Sequence, residues 1–219
     1  MRCKVPDKAF FTDLKDLNAE FVGLLQRYPG AEISGVMGLD CALWARVRAL
    51  NPTEVEFLAA TPYLLAGFSE LPSVSSVSDH RERPLPGEGR WFEAARVFAA
   101  SLITCIRDSA RHDRLRAALC LGPTVMLSDK LAALSFRDIQ SIAGLAAIRL
   151  RAQFAGNPRF WPDLLRASVS GDRELRSLAC LAGIRLSLAR RGPATHQGTV
   201  AGSRCSVSNV RAAGSGRLD

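Results

Sequence analysis

The chain has 219 residues and a net charge of +8, with 47% apolar and 23% charged residues, a balance that predicts a folded protein. Aromatic residues make up only 7%, and alanine, leucine and arginine dominate, which favours helix over sheet. No apolar run approaches the roughly 20 residues that span a bilayer, and the first residues lack the apolar segment of a secretory signal. We therefore expect a soluble, cytoplasmic, all-α protein that makes no membrane contact.

The first half of the chain shows several helix signals. Leucine and phenylalanine recur at helical spacing over 12–28, and a less certain helix covers 32–37. Asp40 can cap a third helix, and the run from Asn51 to Glu54 has the residues of a capping box at the start of a fourth. No convincing strand is predicted.

A change in composition marks the middle of the chain. Residues 69–90 are rich in serine and proline and show no apolar periodicity, which predicts a linker between two small helical domains, 10–68 and 91–190. Residues 191–219 have no apolar stripe, and we expect a disordered basic tail.

The second half contains a pattern typical of a helix-turn-helix. A short helix over 124–133 is followed by a tight junction, and Ser135 with Asp138 forms a capping pattern for the next helix. That helix should bury Phe136 with its apolar stripe and continue through Arg149 to Gly156. Its polar outward face would suit the major groove, although a helical hairpin with a solvated face explains the pattern as well.

Charge distribution fits a nucleic-acid contact in the later part of the chain. The first 80 residues have 7 basic and 10 acidic side chains, and the remainder have 22 and 11. Only four of the 29 basic residues are lysine, and arginine suits phosphates and guanine edges, although a genome-wide preference for arginine codons would give the same excess. The candidate DNA-binding residues are Arg137, Gln140, Ser141, Arg149, Arg151 and Arg159.

Signals of catalysis or metal binding are weak. The closest two of the six cysteines are fifteen residues apart, the three histidines are scattered, and none of the common nucleophile or phosphate-binding motifs occurs. Reduced buried thiols are the simplest interpretation of the cysteines. We expect no enzyme activity, no metal and no cofactor.

Residues 17–68 combine a Leu-Asn pair, an apolar helix ending in Gln-Arg, a Gly-Leu turn and a Leu-Ala…Leu-Leu…Phe segment. This pattern resembles the FlhD subunit of the FlhD/FlhC-type transcriptional activators. The corresponding positions are Leu17, Asn18, Leu24, Leu25, Gln26, Arg27, Gly38, Leu39, Leu50, Leu58, Ala59, Leu64, Leu65 and Phe68. Residues 119–161 are similar to the start of the FlhC subunit at Leu121, Gly122, Leu134, Ser135, Ile139 and Trp161. FlhC-type chains have a cysteine-rich zinc segment, whereas only Cys180 and Cys205 follow here, so zinc is not implied.

The resemblance implies a DNA-binding activator that controls transfer or excision genes of an integrative and conjugative element. Its partners would be double-stranded promoter DNA, a FlhC/FlhD-like regulator subunit or a second copy, and RNA polymerase. The apolar face of the first helix offers a candidate oligomerisation seam, although an ordinary core explains it as well. That face comprises Leu14, Leu17, Phe21 and Leu24. The alternative function is a helical protein-interaction adaptor or anti-activator that does not contact DNA.

Overall fold

The computed structural model describes residues 8–28, 37–70, 89–112, 114–121 and 128–189. The helices there are α1 (Lys8–Arg27), α2 (Cys41–Arg48), α3 (Pro52–Ala59), α4 (Gly89–His112), α5 (Arg114–Leu121), α6 (Ser128–Ala133), α7 (Phe136–Ile148), α8 (Phe160–Ser170) and α9 (Arg173–Ala189). Two short strands, β1 (Ala66–Phe68) and β2 (Leu150–Ala152), accompany them. The predicted all-α class is confirmed. Most of the predicted linker, the predicted tail and most of the helix expected over 32–37 lie outside the described residues.

The predicted helix starts agree with the structure where they can be compared. The Asp40 carboxylate accepts the Leu43 N–H at 2.7 Å at the start of α2. A reciprocal capping box opens α3, in which Asn51 and Glu54 each accept the other's main-chain N–H. The same arrangement opens α7, so local hydrogen bonding determines where these helices begin.

Two expectations about the chain after α7 are wrong. The helix ends at Ile148 instead of continuing to Gly156, and Arg149 is its C-cap residue. Residues 150–152 then form a strand, although no strand was predicted. This strand pairs antiparallel with β1, Gly67 lying opposite Arg151. Three-residue strands are too short to show the alternation from which a strand is recognised in sequence.

Apart from the additional helix α5, the chain from α4 to β2 repeats the order of elements from α1 to β1. Strands β1 and β2 begin 84 residues apart, as do helices α3 and α7, and their capping boxes at Asn51 and Ser135 keep the same spacing. Gly67 pairs in the sheet with Arg151, which is its counterpart at that spacing. The two halves are therefore arranged about a local pseudo-twofold axis at the centre of the strand pair.

The two halves share one hydrophobic core. Phe21 of α1 stacks on Phe98 of α4 with ring centroids 5.8 Å apart, and the strand pair joins the halves a second time. The expected division into separate domains at 10–68 and 91–190 is therefore not what the described residues show. Helices α1 and α4 each have an apolar face that the other half covers, so burial favours association of the halves.

A buried amide connects α1 to the segment before β1. Asn18 is fully buried, and its Nδ2 donates to the Tyr63 carbonyl at 2.8 Å and to the Thr61 hydroxyl at 3.1 Å. Its Oδ1 accepts the Leu65 N–H at 2.8 Å. The segment lacks helical hydrogen bonds of its own, so this side chain satisfies main-chain groups that would otherwise be buried without partners.

Helices α8 and α9 pack over an aromatic cluster. Tyr63 is fully buried, and its ring centroid lies 6.3 Å from that of Phe154 and 5.9 Å from that of Phe160. Burial raises the pKa of the Tyr63 hydroxyl far above its usual range, and the nearby Cys180 thiol adds to this. Helix α9 approaches the ring at Gly183, where a side chain would overlap it. Among the described residues, no helix combines the length and apolar character needed to cross a membrane.

Candidate functional site

Three of the predicted DNA-binding residues lie on one exposed surface. Arg137, Gln140 and Ser141 all face solvent on α7, and the Ser141 hydroxyl donates to the Arg137 carbonyl at 2.9 Å. Their side of α7 lies opposite the buried stripe that begins at Ile139. The structure therefore brings these three polar residues together, as the sequence predicts.

The other three predicted DNA-binding residues lie elsewhere. Arg149 follows the end of α7, on the order of 18 Å along the helix from Arg137, and its guanidinium forms an ion pair with Glu70 at 2.8 Å. Arg151 is exposed on β2 and Arg159 precedes α8. They do not continue the surface of Arg137 as one recognition helix would require, because the helix stops before them.

The packing of α6 and α7 also differs from the predicted helix-turn-helix. Each packs mainly against α4, and Arg111 of α4 donates to the carbonyls of Ala132 at 2.7 Å and Leu134 at 3.5 Å. Phe136 was expected in the core but is 67% exposed. It lies at the start of α7, where it lines an open groove.

The predicted oligomerisation residues are buried within the chain itself. Leu14, Phe21 and Leu24 are at most 1% exposed, and Leu17 is 7% exposed. These four side chains therefore belong to the core of the chain itself, which is the alternative that the sequence left open for this face.

An open groove with a volume of about 860 Å³ lies between α1 and α4. The two helices run in opposite directions: Phe21, near the end of α1, meets Phe98, near the start of α4. At the other end, Phe10 lies beneath the guanidinium of Arg116, at 5.3 Å. The groove runs along α4 from Arg96 to His112, a length of roughly 24 Å at 1.5 Å per residue.

Apolar side chains line part of the groove. Leu17 and Ala100 lie in its floor. Val97 is 56% exposed at one end and Phe136 is exposed at the other. Exposed apolar side chains that line a concave surface are typical of protein contact sites.

One wall of the groove has a row of carboxylates. Asp13, Asp16 and Glu20 are exposed on one face of α1, and none of the three forms an ion pair with another described residue. On the opposite wall, Arg96 pairs with Glu93 at 3.0 Å, and the imidazole of His112 lies 3.4 Å from the Asp108 carboxylate. The α1 wall therefore has three carboxylates that form no ion pair with the described residues, while the cationic side chains of the groove, Arg96 and Arg116, belong to α4 and α5.

Sequence reasoning missed this groove. The signal was the spacing of Asp13, Asp16 and Glu20, which places three carboxylates on one helix face. What the sequence did not show is that α4 lies beside that face. Among the described residues there is no group of three or more side chains that could bind a metal ion.

Comparisons with known proteins give no relative for this chain. No family model matches it, and neither the curated proteins nor the solved structures include a significant match.

Proposed function

We propose that this chain is a helical protein-interaction module of a regulatory complex, and that the α1–α4 groove binds a basic amphipathic helix of a partner protein. The observation that carries this proposal is the combination of an apolar floor with the unpaired carboxylates of Asp13, Asp16 and Glu20. The apolar face of a bound helix would contact the floor of the groove, and its positive charges would be attracted to the carboxylates of α1.

The dimensions of the groove favour this occupant. Its length of roughly 24 Å matches about 16 residues of helix. Val97 and Phe136 supply apolar contacts near its two ends, so an amphipathic helix could bury apolar residues at both ends and over Leu17 and Ala100. Lysine or arginine on the flank of that helix would then lie beside the carboxylates of α1.

The resemblance of residues 17–68 to FlhD/FlhC-type regulators supports the proposal, because those activators work as complexes of different chains. A FlhC-like subunit is the kind of partner that the resemblance suggests. We place the complex in the cytoplasm, where such regulators act.

A synthetic helical peptide of leucine and lysine, about 16 residues long, tests the proposal. We expect it to bind the full chain and to perturb backbone amide resonances of α1 and α4, with an affinity that falls as salt is added. Replacing Asp13 and Asp16 by Asn and Glu20 by Gln should weaken binding about tenfold, since rim ion pairs contribute about 0.2–1 kcal/mol each.

Two controls separate the groove from general charge attraction. The variant with Asp163→Asn and Glu174→Gln removes exposed carboxylates that do not line the groove, and it should bind the peptide as the wild type does. A peptide with leucine and glutamate at the same positions should bind at least tenfold more weakly. Equal binding of both peptides, or resonance changes confined to residues that do not line the groove, would reject the proposal.

Direct DNA binding is the second candidate, and the exposed surface of Arg137, Gln140 and Ser141 favours it. Selection from a random pool of duplexes tests it. An activator should enrich one sequence, bind less tightly as salt increases, and lose sequence preference in Arg137→Ala or Gln140→Ala. Arg151→Ala would weaken binding to all duplexes alike. A pool without enrichment would reject this candidate and leave the groove proposal untouched.

A further inference from the structure

Helix α9 exposes two neighbouring leucines. Leu178 is 62% exposed and Leu181 is 55% exposed, and Ala182 next to them faces solvent as well. Single apolar side chains are common on protein surfaces, whereas neighbouring ones on the same side of a helix mark a contact surface. These leucines are therefore available for contact with a partner.

The two leucines lie away from the side of α9 that joins the fold. Gly183 and Ser187 are the buried residues of this helix, and Gly183 meets the ring of Tyr63. At 3.6 residues per turn, Leu178 and Leu181 lie about 60° from each other and about 140–160° from Gly183 around the helix axis. Packing of α9 on its own chain therefore leaves this side uncovered.

Opposite charges flank the two leucines. Glu174, Leu178, Leu181 and Arg185 follow one another at intervals of four, three and four positions, which places them in one line along the helix. All four are exposed, and neither Glu174 nor Arg185 forms an ion pair with another described residue. We call these four residues the α9 stripe, and it is roughly 17 Å long at 1.5 Å per residue.

The α9 stripe is complementary to itself when it is reversed. In an antiparallel pair of α9 helices with a twofold axis between residues 179 and 180, Leu178 of one copy lies beside Leu181 of the other. The same axis places Glu174 of each copy beside Arg185 of the other. Intervals of four and three are also those at which the side chains of two packed helices interdigitate. A parallel pair would instead bring like charges together.

We propose that this chain forms a homodimer in which the α9 stripes of two copies pack antiparallel. Four leucines, two from each copy, form the centre of the interface, and an ion pair between Glu174 and Arg185 lies at each end. Such a contact is isologous, as twofold symmetry requires. One pair of helix faces of this length is small for a dimer interface, so the association should be weak and concentration-dependent. The stripe does not line the α1–α4 groove, and the dimer is independent of what the groove binds.

Sedimentation velocity of the full-length chain over a range of micromolar concentrations tests this interface. The wild type should shift from monomer to dimer as its concentration rises. Replacing Leu178 and Leu181 together by Ala should weaken the dimer at least about tenfold. The matched control Ile148→Ala changes an exposed apolar residue of α7 and should dimerise as the wild type does. A chain that stays monomeric, or a dimer that the leucine variant leaves unchanged, would overturn the proposal.

Charge reversal tests the antiparallel arrangement without removing apolar contacts. Glu174→Arg and Arg185→Glu should each weaken the homodimer, because like charges then meet at both ends. An equal mixture of the two variants should form a heterodimer about as stable as the wild-type homodimer, since every arginine again lies beside a glutamate. Recovery in the mixture also shows that both variants are folded. Single variants that dimerise as the wild type does, or a mixture that does not recover, would refute the antiparallel pairing.

Discussion

Gly183 offers the sharpest test of how α9 joins the fold. A Cβ at this position would lie well inside van der Waals contact with Cζ, Cε1 and Oη of Tyr63. That ring is fully buried and lies against Phe154 and Phe160, so it has no free direction in which to move. Gly183→Ala should therefore force α9 away from the aromatic cluster.

The expected change in the free energy of unfolding of Gly183→Ala results from two opposing effects. Alanine is better than glycine in a helix by about 1 kcal/mol, while overpacking costs about 1–3 kcal/mol and sometimes more. Because the overlap involves two ring carbons and the hydroxyl oxygen of a buried tyrosine, and not the tip of a flexible side chain, we expect an overpacking cost at the upper end of this range. We expect a net loss of about 2 kcal/mol in the free energy of unfolding, measured by urea denaturation.

Two other helical glycines serve as matched controls. A Cβ at Gly23 would come no closer than 3.6 Å to Arg27, and one at Gly144 no closer than 3.9 Å to Phe92. Alanine at either position should therefore stabilise the protein by up to about 1 kcal/mol. If Gly183→Ala proved as stable as these two variants, the described packing of α9 on Tyr63 would be incorrect.

Two further predictions concern hydrogen bonds that determine the fold. Asn18→Ala leaves the buried Leu65 N–H without its acceptor and removes the shorter of the two hydrogen bonds to the Tyr63 carbonyl, so the free energy of unfolding should fall by about 3 kcal/mol; an unchanged urea midpoint would contradict the hydrogen bonding assigned to Asn18. Hydrogen bonds from the Ser135 hydroxyl and N–H lower the pKa of Asp138, and the nearby Arg137 adds a smaller effect. The folded state thus favours the charged form of Asp138. Its contribution to the free energy of unfolding is therefore present above the ordinary aspartate pKa, about 3.9, and is lost as the pH falls through the lowered pKa of the folded state. Asp138→Asn should be less stable than the wild type at neutral pH, and the two should converge in strong acid when followed by thermal unfolding across pH.

The residues that support a regulatory function in the structure differ from those that the sequence indicated. The sequence predicted a DNA-binding surface on the arginines between Arg137 and Arg159. In the structure Arg149 forms an ion pair with Glu70, and Arg151 lies on a strand. The groove joins α1 and α4, which are separated by more than sixty residues of chain. A charge pattern confined to α1 could not indicate that a second helix lies alongside it.

The repeat was present in the sequence and could have been recognised there. LNPTEVEFLA at 50–59 and LSFRDIQSIA at 134–143 share the leucine, the cap, the acidic third helical position and the final alanine. The identities are few, because exposed positions differ freely and only the cap and the buried stripe are constrained. The structure makes the repeat evident, since the equivalent strands pair with each other.

The amino-acid sequence by itself determined the helices, since caps such as Asn51 and Ser135 and the spacing of apolar residues act over a few positions of chain. Tertiary structure alone decided that the apolar face of α1 packs against α4, that Arg149 pairs with Glu70, and that Asn18 accepts the Leu65 N–H. Those contacts join residues far apart in the chain, and they depend on how whole helices pack, which no local pattern encodes.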